Sequence, residues 1–187
     1  ANTNILNFSD RRDFERADRG FIATFEDTPI LKEDGTLAYD PGAYGFLEGD
    51  APDSVNPSLW RQSQLLRQHG LFKVTDGIYQ VRSFDLSNVT FIEGDTGWIV
   101  VDPLITKEAA GRATALVDRE LGERPISAVI ITHSHIDHYG GIRGLAEAND
   151  FEIITPKGFV LETVSENILA GNAMSRRATY MFGSLLQ

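Results

Sequence analysis

The middle of the chain has the alternating pattern of apolar and polar residues that is typical of β-strands. Residues 77–82 alternate with a period of two, and residues 89–93 are joined to residues 98–101 by the turn signal Gly-Asp-Thr-Gly. This pattern predicts one strand followed by a hairpin. The hairpin ends at Asp102, which the turn-forming Pro103 follows.

After the hairpin, the apolar residues recur with the longer period of an α-helix. Residues 106–121 place apolar side chains on one side of a helix, and a glycine comes directly after it. The apolar run 128–131 is typical of a buried parallel strand, so strand, helix and strand form a parallel crossover unit. A short helix at 142–147 and a strand at 151–154 come next. This order predicts an α/β fold with a mixed sheet and helices on its face.

The two ends of the chain are less regular. Residues 10–20 form a charged stretch with helical spacing that ends in a glycine, and residues 28–57 are rich in Gly, Pro and Asp, which is typical of a surface loop. A helix is expected from residue 56 up to the glycine at position 70, so that His69 complements the helix dipole. Residues 160–187 are expected to be mostly helical.

Composition excludes several classes of function. The 187 residues are 42% hydrophobic and 24% charged, as in an ordinary globular protein. The net charge of −10 opposes nucleic-acid binding, which needs clustered Lys and Arg. No apolar run approaches the roughly 18 residues of a membrane span. The chain has no cysteine, which excludes disulfides and thiolate ligands.

The first residues suggest export. The chain begins at Ala1 without an initiator Met, as a mature protein does after removal of a signal peptide. We therefore expect a secreted or periplasmic protein.

The candidate chemistry is concentrated at the end of the predicted parallel strand. Residues 132–141 read Thr-His-Ser-His-Ile-Asp-His-Tyr-Gly-Gly and contain three of the four histidines in the chain. If the extended geometry continues, His133 and His135 project to the same side and bind one cation. Asp137 and His138 lie beyond, where the chain turns, and are expected to reach a different point. The spacing therefore favours two neighbouring metal ions over one, and a histidine-rich surface loop is the alternative.

Zinc suits these ligands, although imidazole and carboxylate do not exclude manganese or iron. A pair of zinc ions about 4 Å apart can hold a water between them. The two glycines that follow let the backbone pass close to the cluster. Asp102, at the exit of a strand, is expected to hydrogen-bond the histidine loop and orient a ligand without binding metal itself; a turn-capping aspartate is the alternative.

This loop resembles the signature of the metallo-β-lactamase superfamily, His-x-His-x-Asp-His followed by glycines, at every position. The resemblance implies that His133 and His135 bind the first metal, and that Asp137 and His138 bind the second. Asp137 is accordingly also our candidate catalytic residue. The resemblance further implies a four-layer αββα sandwich made of two similar halves.

If two zinc ions share these four ligands, each ion has only two protein ligands, whereas a catalytic zinc usually has three protein ligands and a water. No His or Cys follows His138, so only carboxylates such as Glu162 and Glu166 remain in this chain. We expect instead that the chain is the N-terminal piece of a longer protein. Residues 1–70 would be an arm and helix that wrap the catalytic domain, and residues 71–187 would be the first half of that domain.

Segments 56–62, 78–88, 96–104 and 170–178 are similar to the zinc-dependent alkyl sulfatases. This resemblance implies a binuclear zinc hydrolase in which metal-bound water or hydroxide helps to cleave detergent-like alkyl sulfates, such as dodecyl sulfate, to alcohol and sulfate. It also implies a homodimer with a helical dimerisation domain and a C-terminal sterol-carrier-like domain.

Two arginines are candidates for substrate binding. Arg176 and Arg177 could present a fork to sulfate, with Asn172 as a weaker candidate, although structural or surface roles are the alternative. Two other functions stay open. One is a superfamily hydrolase that acts on a lactam, thioester or phosphodiester, and the other is an inactive metal-binding fragment.

Overall fold

The computed structural model describes residues 7–25, 29–145 and 151–182. The strands are β1 (Phe21–Ala23), β2 (Ile30–Leu31), β3 (Leu37–Tyr39), β4 (Gly70–Thr75), β5 (Ile78–Arg82), β6 (Val89–Glu93), β7 (Trp98–Val101), β8 (Ile126–Ile130) and β9 (Glu152–Ile154). The α-helices are α1 (Arg12–Asp18), α2 (Pro57–Leu66), α3 (Lys107–Leu121), α4 (Phe159–Val164) and α5 (Gly171–Phe182). None of the described helices is long and apolar enough to cross a membrane.

Seven of these strands form one mixed sheet in the order β1-β4-β5-β6-β7-β8-β9. The strands from β1 to β7 pair antiparallel, whereas β7–β8 and β8–β9 pair parallel. The change of direction follows from α3, which crosses from β7 to β8 as the sequence pattern predicted. The carboxyl ends of β7 and β8 therefore lie side by side.

Helix α3 covers the sheet with one apolar face. The Thr106 side chain caps its first turn by accepting from the amide of Ala109 at 3.1 Å. Its inward residues are small or branched and are fully buried: Ala109, Ala110, Ala113, Leu116 and Val117. Below them, the Trp98 ring meets the rings of Tyr79 and Phe91 edge to face at 5.8 and 6.0 Å. This core holds β7, and with it Asp102, in a fixed position.

The structure corrects the expected helix end near residue 70. Helix α2 ends at Leu66, and Gly70 begins β4 with a φ of 132°, which favours glycine. His69 consequently does not cap a helix dipole, and its Nδ1 lies 2.8 Å from the Thr24 hydroxyl. The expectation failed because β4 shows no alternation, since its first three residues are all buried.

Two further elements differ from expectation. The loop at 28–57 contains the β2–β3 hairpin and a 3₁₀ turn at Pro41–Tyr44. The helix expected at 142–147 is a 3₁₀ turn over Ile142–Gly144, and residues 146–150 lie outside the described part. The division of the chain at residue 70 stays a prediction, although β1 from the proposed arm pairs with β4 in the main sheet.

The C-terminal segment exposes many large apolar side chains. Those in and near α4 and α5 include Val160, Leu161, Ile168, Leu169 and Tyr180, each at least 70% exposed. Exposed apolar residues this closely spaced are typical of a surface that another part of a protein covers.

Candidate metal centre

The histidine loop starts where β8 leaves the sheet. Val101 and Ile130 are register partners in the parallel β7–β8 pair. Asp102 comes directly after Val101 and Thr132 comes two residues after Ile130, so both lie at the same sheet edge. The Thr132 amide donates to Asp102 Oδ1 at 2.8 Å. This bond ends the strand and directs the following residues over the ends of β7 and β8.

The loop folds back on itself within six residues. The imidazole centroids of His133 and His135 are 4.6 Å apart, and those of His133 and His138 are 4.1 Å apart. Asp137 Oδ2 lies 3.3 Å from His138 Nε2. A 3₁₀ turn over Ile136–His138 returns the chain toward the strand end and brings His138 close to His133. The assignment of His133 and His138 to two different metal ions stays a prediction.

Asp102 holds this loop through both of its oxygens. Its Oδ2 accepts from the Thr132 hydroxyl at 2.7 Å and lies 2.9 Å from His138 Nδ1. The residue is buried and has a φ of 55°, a left-handed conformation that aspartate tolerates better than most side chains. Potential ligand atoms of Asp102, His133 and His138 lie within 4.8 Å of one another. Because its oxygens already accept three hydrogen bonds, Asp102 is better suited to orienting the histidines than to binding metal.

These contacts determine which ring nitrogens are available. An ionised carboxylate only accepts, so His138 Nδ1 and the Thr132 hydroxyl must both donate to Asp102. The Thr132 oxygen is then an acceptor for His133 Nδ1, 2.9 Å away. When the two rings are neutral, a proton on Nδ1 leaves Nε2 as the nitrogen with a free lone pair, which is the form that binds a metal ion. The donor set fits a zinc-type cation.

The loop between β5 and β6, at residues 83–88, supports the histidine cluster through hydrogen bonds. The Ser87 hydroxyl donates to the backbone oxygen of Asp137. Asp85 accepts from the amides of Ser87 at 3.0 Å and Ile105 at 2.8 Å. Burial raises the pKa of the Asp85 carboxyl, and the two amides act in the opposite direction. Sequence reasoning assigned no role to Asp85 or Ser87, because they lie about fifty residues before the loop that they support.

The two glycines after the motif are required for close packing. The Gly141 amide donates to the Leu104 oxygen at 2.9 Å, and the Gly140 amide donates to the Ile136 oxygen at 2.8 Å. A Cβ on Gly140 would overlap the Ile105 oxygen, and one on Gly141 would overlap the Pro103 oxygen. Only glycine lets the loop lie directly on the segment that follows β7.

The other candidate residues are placed differently. Glu166 Oε1 lies 3.1 Å from His135 Nε2, whereas Glu162 is exposed. Asn172, Arg176 and Arg177 are exposed on α5, and within the described residues the structure gives them no hydrogen bond to the histidine loop. A role for them in sulfate binding stays a prediction.

A cavity of about 360 Å³ lies between α2, the 39–47 segment and the 83–88 loop. Its apolar walls come mainly from Tyr39, Tyr44, Phe46, Leu47, Leu66 and Leu86. Asp85 also lines it, on the loop that carries Ser87 to the metal centre. The cavity and the histidine cluster thus share one supporting loop.

Comparison with known proteins gives consistent matches. Residues 82–162 match the sequence model of the Metallo-beta-lactamase superfamily. A linear primary-alkylsulfatase from Pseudomonas sp. is 52% identical over 97% of this chain and 28% of its own length. The alkyl/aryl-sulfatase BDS1 of Saccharomyces cerevisiae is 51% identical over 97% of this chain and 29% of its own length.

The solved structure of the stereoselective inverting sec-alkylsulfatase Pisa1 from Pseudomonas sp. superposes with a TM-score of 0.87. It is 48% identical and is matched over 95% of this chain and 29% of that chain. The chain therefore spans less than a third of the length of these relatives.

Proposed function

Because this chain belongs to the metallo-β-lactamase superfamily, we propose that it is the metal-binding N-terminal part of an alkylsulfatase, which hydrolyses alkyl sulfates such as dodecyl sulfate to alcohol and sulfate. The observation that carries the proposal is the convergence of His133, His138 and Asp137 in one short turn, in a chain about half identical to alkylsulfatases.

The proposed cofactor is a pair of zinc ions with a bridging water. His133 and His135 would hold one ion, and Asp137 and His138 would hold the other, with further ligands from outside these residues. Bound zinc would supply a water of lowered pKa and positive charge near the departing sulfate.

The chain's own residues prepare this site. Asp102 would accept a hydrogen bond from His138 Nδ1, and the Thr132 oxygen would accept one from His133 Nδ1, which leaves Nε2 as the metal-binding nitrogen of each neutral ring. Ser87 holds the backbone of Asp137 through a hydrogen bond to its oxygen. The ligands are thus oriented before a metal binds, which lowers the entropic cost of binding.

The apolar cavity suits the alkyl tail of the substrate. A detergent-like sulfate needs a polar site for its head and an apolar one for its chain, and the 83–88 loop borders both. Leu66 lines the cavity and is still 64% exposed, so it can contact a tail that enters from solvent.

The protein that contains this chain is proposed to be an exported homodimer in which residues 71–187 form the first half of the catalytic domain. Gel filtration with light scattering and cell fractionation test the dimer and the export.

The test is metal content and sulfate release, measured on the full-length gene product and on the 187-residue chain. We expect two zinc ions per full-length subunit and sulfate release from dodecyl sulfate. His133→Ala and His138→Ala should lose metal and activity while keeping the wild-type circular dichroism spectrum. The 187-residue chain alone should be inactive.

A matched pair of leucines on α2 tests the tail site. Leu66→Asp should raise KM for dodecyl sulfate. Leu59 is 61% exposed and does not line the cavity, so Leu59→Asp should leave KM unchanged. Equal effects of the two changes would contradict the tail site. A full-length product that binds two zinc ions but cleaves a lactam, thioester or phosphodiester and leaves alkyl sulfates intact would overturn the substrate assignment.

A further inference from the structure

The helical segment after α4 contacts the histidine loop through polar side chains. Residues Ser165–Leu169 form a π-helix, in which the Ala170 amide donates to the Ser165 oxygen at 2.9 Å. Such widened turns are uncommon and are often found at functional sites. Here the turn brings Glu166 and Asn167, two consecutive residues, to the same loop.

Glu166 contacts two neighbouring residues of the metal loop with its two oxygens. Oε1 lies 3.1 Å from His135 Nε2, and Oε2 accepts from the Ser134 hydroxyl at 3.3 Å. Next to it, Asn167 Nδ2 lies 3.3 Å from the Ser134 backbone oxygen and 3.2 Å from the Tyr139 hydroxyl. Both ends of the loop are therefore tied to this one turn.

The contact is not a chance pairing of mobile surface charges. The Glu166 side chain is only 26% exposed, although that of His135 is 55% exposed. The edge-to-face packing of Tyr139 on Phe159, at 5.3 Å, fixes the start of α4 against the same loop. The apolar residues of the turn, Ile168 and Leu169, point to solvent instead, at 70% and 80% exposure. The turn therefore meets the loop through the polar side chains of Glu166 and Asn167.

We propose that Glu166 is a positioning residue for the metal ligand His135. Its carboxylate accepts the Nε2 proton of the ring, which leaves Nδ1 as the only nitrogen with a free lone pair and fixes the direction in which it points. Because both oxygens are used within the loop, Glu166 acts through His135 and is not itself a ligand. It therefore does for His135 what Asp102 does for His138. This inference rests on the proposed metal-binding function.

The first readout is independent of metal and of activity. The tautomer of His135 is measured by ¹⁵N NMR of metal-free, histidine-labelled protein, with the signal assigned by its loss in His135→Asn. We expect the wild type to carry the proton on Nε2, and Glu166→Ala to show a mixture of the two tautomers. Glu162 is an exposed glutamate one helical turn before Glu166. Glu162→Ala is therefore the matched control and should keep the wild-type tautomer.

The second readout is metal binding by the full-length product. Chelator competition with Co²⁺ should show an affinity about 10–100-fold lower in Glu166→Ala, the usual effect of losing a carboxylate that supports a ligating histidine. The visible Co²⁺ spectrum should change as well. Glu166→Gln should lie in between, because its amide oxygen still accepts, and Glu162→Ala should match the wild type.

The two hypotheses fail in different ways. Wild-type tautomer, affinity and Co²⁺ spectrum in Glu166→Ala would overturn the role of Glu166 and leave the metal site intact. A wild-type protein that binds no metal would overturn the proposed function, and the tautomer measurement would still decide whether Glu166 holds the ring. A fall in thermal stability of Glu166→Ala with an unchanged tautomer would assign Glu166 a purely structural role and would also overturn the proposal.

Discussion

Asp102 is the residue on which the geometry of the histidine loop depends most directly. It joins the end of β7 to the loop by three hydrogen bonds, two to Thr132 and one to His138. Its backbone takes a left-handed conformation to do so. This combination of charge, burial and unusual backbone makes the side chain hard to replace.

Asp102→Asn tests this role with little change of shape. Asparagine tolerates the same backbone conformation, but its amide nitrogen cannot accept the protons that the carboxylate accepts. We expect metal affinity to fall about 10–100-fold in a chelator competition assay, because the His138 ring loses its orientation. Asp118→Asn, a partly buried aspartate on α3, is the control and should bind metal like the wild type. Equal affinities in all three proteins would refute the role of Asp102.

At the scale of elements, the histidine loop is held against the segment between β7 and α3 by backbone contact. The Gly141 amide donates to the Leu104 oxygen, and a Cβ on Gly144 would overlap the Lys107 oxygen at the start of α3. The loop is therefore positioned by two strands and a helix start that also belong to the core. Any side chain placed between them has to push them apart.

Gly141→Ala measures how closely these elements pack. Gly141 has a φ of −83°, which alanine adopts without strain, so the cost comes from overlap of the added Cβ with the Pro103 and Thr106 oxygens and the Ala110 Cβ. We expect a loss of about 1–3 kcal/mol in the free energy of unfolding, measured with urea. Gly171→Ala, where an added Cβ meets nothing within 4 Å, is the control and should be neutral or stabilising. A loss of the same size in both variants would mean that steric overlap at Gly141 is not the cause.

At the scale of the whole molecule, the superfamily match and the superposition on Pisa1 confirm the predicted metallo-β-lactamase-like α/β fold. The described part has a well-covered sheet centre but an exposed apolar C-terminal segment. Since the chain spans less than a third of its relatives, we expect further polypeptide to cover that segment in the full-length protein.

The exposed segment predicts how the isolated chain behaves. The 187-residue chain should bind the dye ANS and self-associate, and the full-length product should bind less dye per subunit. Leu161→Lys with Leu169→Lys should reduce both effects in the isolated chain and destabilise the full-length product. The control is Leu31→Lys with Leu37→Lys, a pair 54% and 56% exposed in the β2–β3 hairpin, which should change dye binding less. Equal changes from both pairs would show that the C-terminal segment is not a covered surface.

Much of the fold could be predicted because the signals are local. The β6–β7 hairpin, α3 and the parallel β8 follow from turn residues, a cap and periodic apolar positions within a few residues of each element. The histidine motif is equally local, since all four candidate ligands lie within six residues. Strand β4 escaped prediction because it is buried at one end and exposed at the other, which leaves no regular period.

The sequence by itself therefore determined the class of fold and the position of the candidate ligands along the chain. Only the tertiary structure decided which side chains meet: His138 against His133, Ser87 under Asp137 and Glu166 beside His135. The physical reason is the separation along the chain over which each kind of interaction acts. Periodicity and capping act between neighbours in the chain, whereas these contacts join residues up to 50 positions apart and depend on how strands and turns are packed.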